Sequence, residues 1–533
     1  MRDLIFKYVL QASVKYNNID VNSIVGKIIA EKPEYKGFIR DLIKETKGII
    51  EDVKKLDIEE RKKHLERFTF EKKEVKKEYI LPNVGNKVVM RFAPNPNGAM
   101  SIGHSRQAVW NDFFVKKYNG TFILRFDDTD PKVKIPEKKA YNWYKEDLKY
   151  VGVKVDKVVR QSSRLKIYYK YAEDLIDMEK AYVCLCRDNF KNYKEGCPCR
   201  SLNPDEHKKR WKLMFKGYGE GAAVLRIKTD LHHPNPAIRD WIAFRIVNKP
   251  KHPYSREKVW PLLNFASAID DHELEVTHIL RGIDLKSSVE RQKYIYEYFS
   301  WNYPETIYTG KLLFKGLKST TEIKELIGQK KIEGWDDVRL GTIVTLSRRG
   351  IRGEAIRNFI LSLGINRNEV RVDMNNLYSF NKEIVDKEAN RYFAVFNPKK
   401  VKIDGFKSAK VKIPLHPDFP QRGVRILSCK NTFYVQDDLQ RDKLYRFMHL
   451  FNFLNNTFVS DKIVKDAKLI HWVPSAGNVS VEVLMDDNTK LKGVGENNLR
   501  KVKVDEIIQF ERNFFARLEE RRKDKFIFVY SHS

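Results

Sequence analysis

The sequence predicts an α/β protein with a helical segment at its N-terminus and a β-rich segment at its C-terminus. Apolar residues recur at helical spacing over residues 1–70, and residues 87–126 read as strand, loop, helix and strand. From about residue 390, short alternating runs are separated by turn residues, as in β-barrels or small sandwiches. Because single cores stop growing at roughly 250–300 residues, about three to five structural units are expected.

The composition indicates a soluble cytoplasmic protein with a polyanionic partner. Lys and Arg number 101 against 71 Asp and Glu, which gives a formal charge of +30. Such a field attracts nucleic acid, although a uniformly lysine-rich proteome would produce the same balance. No stretch approaches the roughly 18–20 apolar residues of a membrane span, and the start MRDLIFKYVL lacks the apolar core and cleavage site of a secretory signal. We therefore expect no membrane association.

Residues 1–85 are predicted to form a helical extension and a linker. The amphipathic patterns VNSIVGKIIA and GFIRDLIKETKGIIEDVKKL belong to the helices, and the lysine-rich run EKKEVKKEY belongs to the linker. This module is expected to be appended to the α/β part that follows it.

The segment after the linker is predicted to bind an anion. KVVMRF and TFILRF read as parallel strands, joined by the loop APNPNGAM and the helix IGHSRQAVWNDFFVKKY. Anions bind where such a strand ends and a helix begins, because the helix N-terminus offers free N–H groups and positive partial charge. There, Gly103 would let a nucleotide approach the backbone, and His104 could donate to a phosphate. The alternative is that Gly103 serves helix packing and His104 is a surface residue.

The remaining chain continues the α/β pattern before the β-rich end. AAVLRIKT, AFRIVN and VTHILR read as strands. Residues 322–365 read as helical, with Gly364 as a C-terminal stop.

Four of the five cysteines lie close together, which argues against a secreted disulfide framework. Cys184, Cys186, Cys197 and Cys199 form two close pairs joined by a ten-residue loop. That spacing is compatible with tetrahedral thiolate coordination of a structural Zn²⁺. Buried thiols and disulfides are the alternatives.

The segment RFAPNPNGAMSIGHSRQAVWNDFFVKKYNGTFILRFDDTDP resembles the first nucleotide-binding half of the class I aminoacyl-tRNA synthetases, and in particular the archaeal-type glutamyl-tRNA synthetases. Further family patterns follow in order, namely VWPLLNFASAIDDHELEVTHILRGIDL, GWDDVRLGTIVTLSRRGIRGEAIRNFILSLG and NLYSFNKEIVDKEANRYF. KYVLQASVKYN resembles the appended helices of the same family. The resemblance therefore covers nearly the whole chain.

The resemblance implies a class I Rossmann-type nucleotide-binding catalytic domain with an inserted acceptor-binding domain, an N-terminal helical extension and a C-terminal β-barrel anticodon-binding domain. The implied divisions are the extension and linker at 1–85, the catalytic halves at 86–180 and 259–330, the acceptor-stem-binding insertion at 181–258, a helical stem-contact region at 331–370 and the anticodon-binding domain at 371–533.

The implied activity is that of an enzyme, a glutamate–tRNA ligase. ATP, accompanied by Mg²⁺, would convert L-glutamate into glutamyl-adenylate, and the glutamyl group would pass to the terminal adenosine of tRNA(Glu). Archaeal relatives often charge tRNA(Gln) as well and hand that product to a tRNA-dependent amidotransferase, so both are candidate partners.

The resemblance also implies the site residues. The ATP-binding set is Pro94, Gly98, Ser101, Gly103, His104, Lys318 and Ser319. Glutamate needs cations for two carboxylates and an anion for its ammonium. Arg91 would hold the side-chain carboxylate, Arg281 would help to hold the α-carboxylate, and Asp127 would take the ammonium. His104 and Lys318 are the expected catalytic residues.

Four positions depart from the family pattern. Leu263 stands where a glutamate-contacting tyrosine is usual, and Leu285 stands where a histidine is common. Ser101 replaces the first histidine of the HIGH signature, and Thr320 replaces a phosphate-steadying lysine of KMSKS. Lys318 lies two residues from the lost lysine, and its flexible stem can reach a phosphate from there. We expect Lys318 to be the working cation of this loop.

The basic stretch SRRGIRGEAIR is predicted to contact the tRNA backbone through Arg348, Arg349 and Arg352, unless it is only a solvated face.

Two rival functions stay open. Glutaminyl-tRNA synthetases usually carry RFPPEPNG, DDTNP and LRTLEF, in contrast to RFAPNPNG, DDTDP and LRGIDL in this sequence. A catalytically impaired tRNA-binding paralogue would account for the departures from the family pattern.

Overall fold

The computed structural model describes residues 1–15, 19–65, 67–68, 78–186 and 196–533. They form two compact units, Met1–Tyr79 and Ile80–Ser533. Nearly all of the predicted linker run EKKEVKKEY lies outside the described residues, as does most of the loop between the two cysteine pairs. In the part of the chain that is described, no helix has the length and apolar character needed to cross a membrane.

The first unit is helical, as its periodicity predicts. Its helices are α1 (Arg2–Lys15), α2 (Val21–Glu31), α3 (Ile39–Lys54) and α4 (Ile58–Leu65). Asp20 caps α2 by accepting hydrogen bonds from the backbone N–H groups of Asn22 and Ser23. The apolar faces meet in a core that contains Ile5, Val9, Leu42, Ile50 and Val53.

The second unit begins with alternating strands and helices. They are β1 (Val89–Phe92), α5 (Ile102–Lys117), β2 (Thr121–Phe126), α6 (Ala140–Tyr150), β3 (Lys157–Arg160) and α7 (Leu165–Asp177). An antiparallel insertion follows, with β4 (Ala181–Cys184), α8 (Pro204–Lys216), β5 (Val224–Ile227), β6 (Ile242–Ile246) and β7 (Val259–Pro261). Its four strands pair in the order β4-β5-β6-β7.

The chain then returns to the first sheet and continues into helices. The elements are α9 (Leu263–Glu273), β8 (His278–Gly282), α10 (Lys286–Tyr298), β9 (Glu305–Thr309), β10 (Leu312–Phe314), α11 (Thr320–Gly328), α12 (Ile343–Arg348), α13 (Gly353–Ser362), β11 (Val370–Val372) and α14 (Met374–Glu388). The parallel sheet has the order β3-β2-β1-β8-β9. The chain first adds strands on one side of β1 and later adds β8 and β9 on its other side, so the strand order reverses between β1 and β8. A ligand crevice is expected at the carboxyl ends of these two strands.

The prediction that residues 322–365 are helical is wrong between residues 329 and 342 and again at residues 349–352, where the chain forms turns, bends and irregular backbone. The longer of these interruptions is residues 329–342. This segment buries Ile332, Trp335 and Leu340 in one cluster with Ala99. The indole of Trp335 lies so close to Gly98 that a Cβ on this glycine would come within 2.3 Å of it. Tertiary packing therefore overrides the local helical pattern.

The C-terminal part is all β, as predicted. Its strands are β12 (Asn390–Tyr392), β13 (Ala394–Phe396), β14 (Lys399–Lys402), β15 (Ser408–Pro414), β16 (Val424–Lys430), β17 (Thr432–Val435), β18 (Tyr445–Phe447), β19 (Asn452–Leu454), β20 (Thr457–Ser460), β21 (Lys468–Ile470), β22 (Val473–Pro474), β23 (Val479–Leu484), β24 (Lys490–Gly495), β25 (Ile507–Phe510), β26 (Phe514–Arg522) and β27 (Lys525–His532). The largest sheet has the order β12-β25-β26-β27-β23-β24-β13. Only Phe393 separates its two edge strands β12 and β13 along the chain, so the sheet nearly closes into a barrel.

Candidate active site

A cavity of about 940 Å³ opens where the strand order of the parallel sheet reverses. Its walls come from the loop after β1, the start of α5, the end of β2, the start of α9 and the start of α11. Of the residues predicted from the sequence, those that line it are Pro94, Ser101, His104, Asp127, Leu263, Lys318 and Ser319. Residues separated by more than two hundred positions therefore meet in one crevice.

The N-terminus of α5 forms one end of the cavity. The Ser101 hydroxyl caps the helix by accepting a hydrogen bond of 3.3 Å from the His104 N–H. Enclosure by the cavity lowers the pKa of the His104 imidazole, and the positive charge of Lys134 lowers it further. Near neutral pH the ring is therefore an uncharged group that can donate a hydrogen bond.

The start of α11 faces the same end of the cavity. Ser319 and Glu322 form a capping box, in which each side chain accepts a hydrogen bond from the backbone of the other residue. This box fixes the backbone next to Lys318, whose side chain is exposed and lines the cavity. Lys134 lines the cavity as well, so two lysines are available to an anion there.

A buried ion-pair network supports Asp127 at the end of β2. The fully buried Arg125 donates to Asp127 over 2.7 Å and to Asp271 over 2.6 Å. Asp271 also accepts two hydrogen bonds from Arg91, of 3.0 and 3.2 Å. Burial raises the pKa of Asp127 and Arg125 opposes that rise. Burial also acts on Asp271, but Arg91 and Arg125 outweigh it and lower its pKa to about 2.

Arg281 differs from the other arginines of this network. It is 6% exposed, and one terminal nitrogen donates to the Gln292 side-chain oxygen over 3.1 Å. Its Nε is buried without a hydrogen-bond partner among the described residues. Burial lowers its pKa, and the neighbouring positive charge of Arg91 adds to this effect. A buried guanidinium whose Nε lacks a hydrogen-bond partner is suited to bind a carboxylate.

A family model matches all of the segments that form this site. A model described as the catalytic domain of class I tRNA synthetases (E and Q) matches residues 87–387, more than half of the chain. The chain belongs to this family. The predicted resemblance and the predicted α/β fold class are thereby confirmed. Two models of the same family's anticodon-binding domain match residues 389–471 and 469–519, which cover the β-rich part except for the end of β26 and β27.

Individual relatives are similar along their whole length. The glutamate–tRNA ligase of Methanocaldococcus jannaschii is 43% identical, and the alignment covers 100% of both chains. The glutamate–tRNA ligase of Pyrococcus furiosus is 44% identical over 99% of each chain. The glutamate–tRNA ligase of Thermococcus onnurineus is 41% identical over 100% of each chain.

Two of this synthetase's departures from the family pattern give the cavity apolar walls. Leu263 is 46% exposed and Leu285 is 38% exposed, and both line the cavity. A hydroxyl and an imidazole are therefore replaced by alkyl groups.

The two glycines predicted to bind ATP differ in their surroundings. Gly98 packs against Trp335, and Gly103 has room for a Cβ, with the nearest atom at 3.7 Å. The expected part of these two glycines in ATP binding stays a prediction.

The synthetase cavity also contains arginines that the sequence did not single out. Arg245 on β6 and Arg291 on α10 both line it. Arg125 and Asp271, which belong to the buried network that supports Asp127, were missed as well. Apart from Asp127, which lies two residues after Arg125, their partners are distant in sequence, so no local pattern marks them.

The four clustered cysteines meet in the synthetase's inserted sheet. All four sulfur atoms lie within 4.8 Å of one another. The Sγ of Cys184 is 3.6 Å from that of Cys197, and the Sγ of Cys186 is 3.7 Å from that of Cys199. A sulfur tetrahedron around Zn²⁺ at about 2.3 Å has edges of about 3.8 Å, so the donor set fits this ion. Arg210 donates to Cys199 over 3.4 Å and would offset part of the thiolate charge.

The three arginines predicted to contact tRNA have partners within the synthetase. Arg348 pairs with Glu519 at 2.6 Å, and Arg352 pairs with Glu388 at 2.7 Å. Arg349 is 4% exposed, and it donates to the backbone oxygen of Ser531 over 2.7 Å. These contacts join α12 and the start of α13 to β26, α14 and β27, so Arg349 has a structural role. The tRNA contact of the three residues stays a prediction.

Proposed function

We propose that this synthetase is a glutamate–tRNA ligase. The observation that carries the proposal is full-length similarity to glutamate–tRNA ligases, combined with a crevice that is lined by a helix N-terminus, by Asp127 and by the arginines 245 and 291. A carboxylate oxygen of glutamate would attack the α-phosphorus of ATP, and pyrophosphate would leave. A ribose hydroxyl of the terminal adenosine would then attack the acyl carbon, and AMP would leave.

ATP and its Mg²⁺ are assigned to the end of the cavity formed by α5 and α11. The helix N-terminus after Ser101 and the neutral His104 would donate to phosphate oxygens, where negative charge grows as pyrophosphate departs. Lys318 would neutralise the leaving group from the opposite side. The protein forms no covalent bond, so its contribution is orientation and electrostatic stabilisation.

Glutamate is assigned to the part of the cavity next to Asp127, the residue that the buried ion-pair network supports. Asp127 would accept from the ammonium, and Arg281 would receive a carboxylate. Arg91 would have to share its guanidinium between Asp271 and the second carboxylate. Ion pairs connect the arginines 91, 125 and 164 with the aspartates 127, 270 and 271. Arg281 makes no ion pair with them but lies close enough to Arg91 and Asp271 to interact electrostatically. With four arginines and three aspartates, one positive charge is in excess, which favours the anion glutamate over the neutral glutamine.

Charging assays with purified tRNA and radiolabelled amino acid test this proposal. We expect glutamylation of tRNA(Glu), with glutamine used at least a hundredfold less efficiently. Preferential use of glutamine would support the glutaminyl enzyme. The altered Ser101, Leu263 and Thr320 motivate the second candidate, an impaired tRNA-binding paralogue. That candidate predicts tight tRNA binding with no glutamate-dependent ATP–pyrophosphate exchange, with or without tRNA.

The role of Lys318 has its own test. In Lys318→Ala, ATP–pyrophosphate exchange should fall by orders of magnitude, because the loop loses its cation. Lys315→Ala removes an equally exposed lysine of the same loop that does not line the cavity, and it should retain activity. Equal rates for the two variants would contradict the assignment.

The tRNA would span the domains inferred from the sequence. We propose that the insertion at 181–258 receives the acceptor arm, that the region 331–370 contacts the stem through Arg348 and Arg352, and that the part from residue 371 binds the anticodon. The aminoacylation reaction would take place in the cytoplasm. Glutamylation of purified tRNA(Gln) would test the second acceptor, and its transfer to a tRNA-dependent amidotransferase would test the proposed partner.

The cysteine cluster is proposed to hold a structural Zn²⁺ that links β4 to the segment after Gly196. When bound, the ion would crosslink two parts of the insertion, a structural rather than a chemical role. Elemental analysis of freshly purified protein should give one zinc per chain, and Cys184→Ser should lower that ratio. The buried Cys429, which lies in β16, supplies the control Cys429→Ser, which should leave the zinc content unchanged.

A further inference from the structure

Arg291 has an unusual position in the cavity. Its Nε donates to the backbone oxygen of Ala237 over 2.7 Å, which fixes the guanidinium against the segment before β6. Its side chain lines the cavity. Among the described residues, its two terminal nitrogens have neither a hydrogen-bond acceptor nor a carboxylate within ion-pair distance. The donors available to a ligand are therefore held in place by the protein.

Among the described residues, Arg281 also has no carboxylate within ion-pair distance, but it does not line the cavity, and the other nearby arginines are paired. Arg245 pairs with Asp130 at 2.6 Å, and Arg91 and Arg125 both pair with Asp271. Partial burial lowers the pKa of Arg291, and no neighbouring carboxylate opposes this effect. A cation kept half-buried and unpaired costs free energy in the unliganded protein. Such a group is expected where an anionic ligand completes the pairing.

The surroundings of Arg291 indicate which anion this is. Its anchor Ala237 belongs to the inserted segment, and Trp241 and Ile242 from the same segment also line the cavity. The groups assigned to ATP, His104 and Lys318, come from α5 and the loop before α11, and the network assigned to glutamate does not include Arg291. The anion should therefore arrive with the ligand that the insertion receives.

We propose that Arg291 binds a phosphodiester of the unpaired 3′ end of tRNA and so positions the terminal adenosine for transfer. This inference rests on the proposed function. A planar guanidinium whose Nε is already fixed presents its two terminal nitrogens to two phosphate oxygens with little loss of side-chain entropy. Leu285, which lies immediately before α10 and six residues before Arg291, also lines the cavity and would supply an apolar surface for the sugar or base.

The experiment compares Arg291→Ala and Arg291→Lys with the matched control Lys293→Ala, which removes an exposed cation two residues further along α10. We expect Arg291→Ala to weaken tRNA binding roughly ten- to a hundredfold, as for the loss of a charge-assisted hydrogen bond. The slope of log affinity against log salt should decrease by about 0.7, the value for one phosphate of a single strand. Lys293→Ala should change neither quantity, and Arg291→Lys should restore the salt slope but only part of the affinity.

A tRNA that lacks its unpaired 3′ nucleotides provides the decisive comparison. Wild type and Arg291→Ala should bind this truncated tRNA equally, because the contact is absent from both complexes. An equal loss with intact and truncated tRNA would overturn the proposal. A rise in the KM for glutamate or for ATP without a change in tRNA affinity would also overturn it, since Arg291 would then bind one of those substrates. Binding is measured without turnover, so a wild-type protein that binds tRNA but does not glutamylate it would count against the proposed function alone.

Discussion

The carboxylate of Asp271 should be among the most stabilising charged groups of the catalytic domain. It is 1% exposed and bridges Arg91 and Arg125. Its pKa in the folded protein is about 2, against an ordinary value of about 3.9. A lowering of roughly two units corresponds to about 2–3 kcal/mol of stability at neutral pH. Asp271→Asn also leaves two buried arginines short of a partner, so we expect a total loss of about 3–5 kcal/mol.

Thermal unfolding followed by near-ultraviolet circular dichroism measures this loss. The variant should unfold on the order of 10 °C lower than the wild type at pH 7. The pKa is depressed in the folded state, so the stabilisation is complete above about pH 4 and disappears as the pH falls toward about 2. The difference between the two proteins should therefore shrink over that acidic range.

Glu275→Gln provides the matched control. Glu275 lies four residues further along and pairs with Lys87 at 2.6 Å, but its side chain is 72% exposed. Both side chains are largely exposed and screened by solvent, so removal of this pair should change the unfolding temperature little. If Asp271→Asn lowers the unfolding temperature no more than Glu275→Gln does, the network does not stabilise the domain as the geometry implies.

Three other charged groups give measurable expectations. Lys134→Gln should raise the imidazole pKa of His104, followed by NMR titration, because Lys134 lowers that pKa; an unchanged pKa would contradict the coupling. Arg349→Ala leaves two backbone oxygens of β27 without their donor and should lower the unfolding temperature far more than Arg352→Ala, whose ion pair is exposed. Burial raises the pKa of Asp147 to about 8, so its ionisation costs stability as the pH rises from about 4 to about 8. Asp147→Asn should therefore stabilise the protein at pH 9 far more than at pH 5, and equal unfolding temperatures at pH 9 would refute this.

Local patterns in the sequence predicted the elements that carry the nucleotide end of the site. The strand, loop, helix and strand of residues 87–126 are present because apolar runs, turn residues and the cap Ser101 all favour them within a short window. Lys318 and His104 were found through signatures that are also local. These features need no knowledge of distant contacts.

The supporting groups could not be predicted in this way. Arg125 lies within the apolar run TFILRF, where a charged residue reads as an ordinary strand residue. Its partner Asp271 is 146 residues away, in α9. The same holds for Arg291, whose anchor Ala237 is 54 residues earlier. The loop at 329–342 was missed because the packing of Trp335 on Gly98 decides its shape.

The near-closure of the C-terminal sheet affects the order in which the chain can fold during synthesis. Every strand of the parallel sheet lies between residues 89 and 309, so that sheet can be completed as soon as Thr309 has left the ribosome. The edge strand β12, by contrast, pairs with β25, more than a hundred residues later in the chain. Until β25 emerges, β12 exposes unpaired backbone and apolar side chains, and β13 does so until its partner β24 has emerged. A nascent chain would thus hold a finished catalytic sheet beside an incomplete, aggregation-prone β-sheet, so chaperones are expected to act on the part of the protein that follows residue 390.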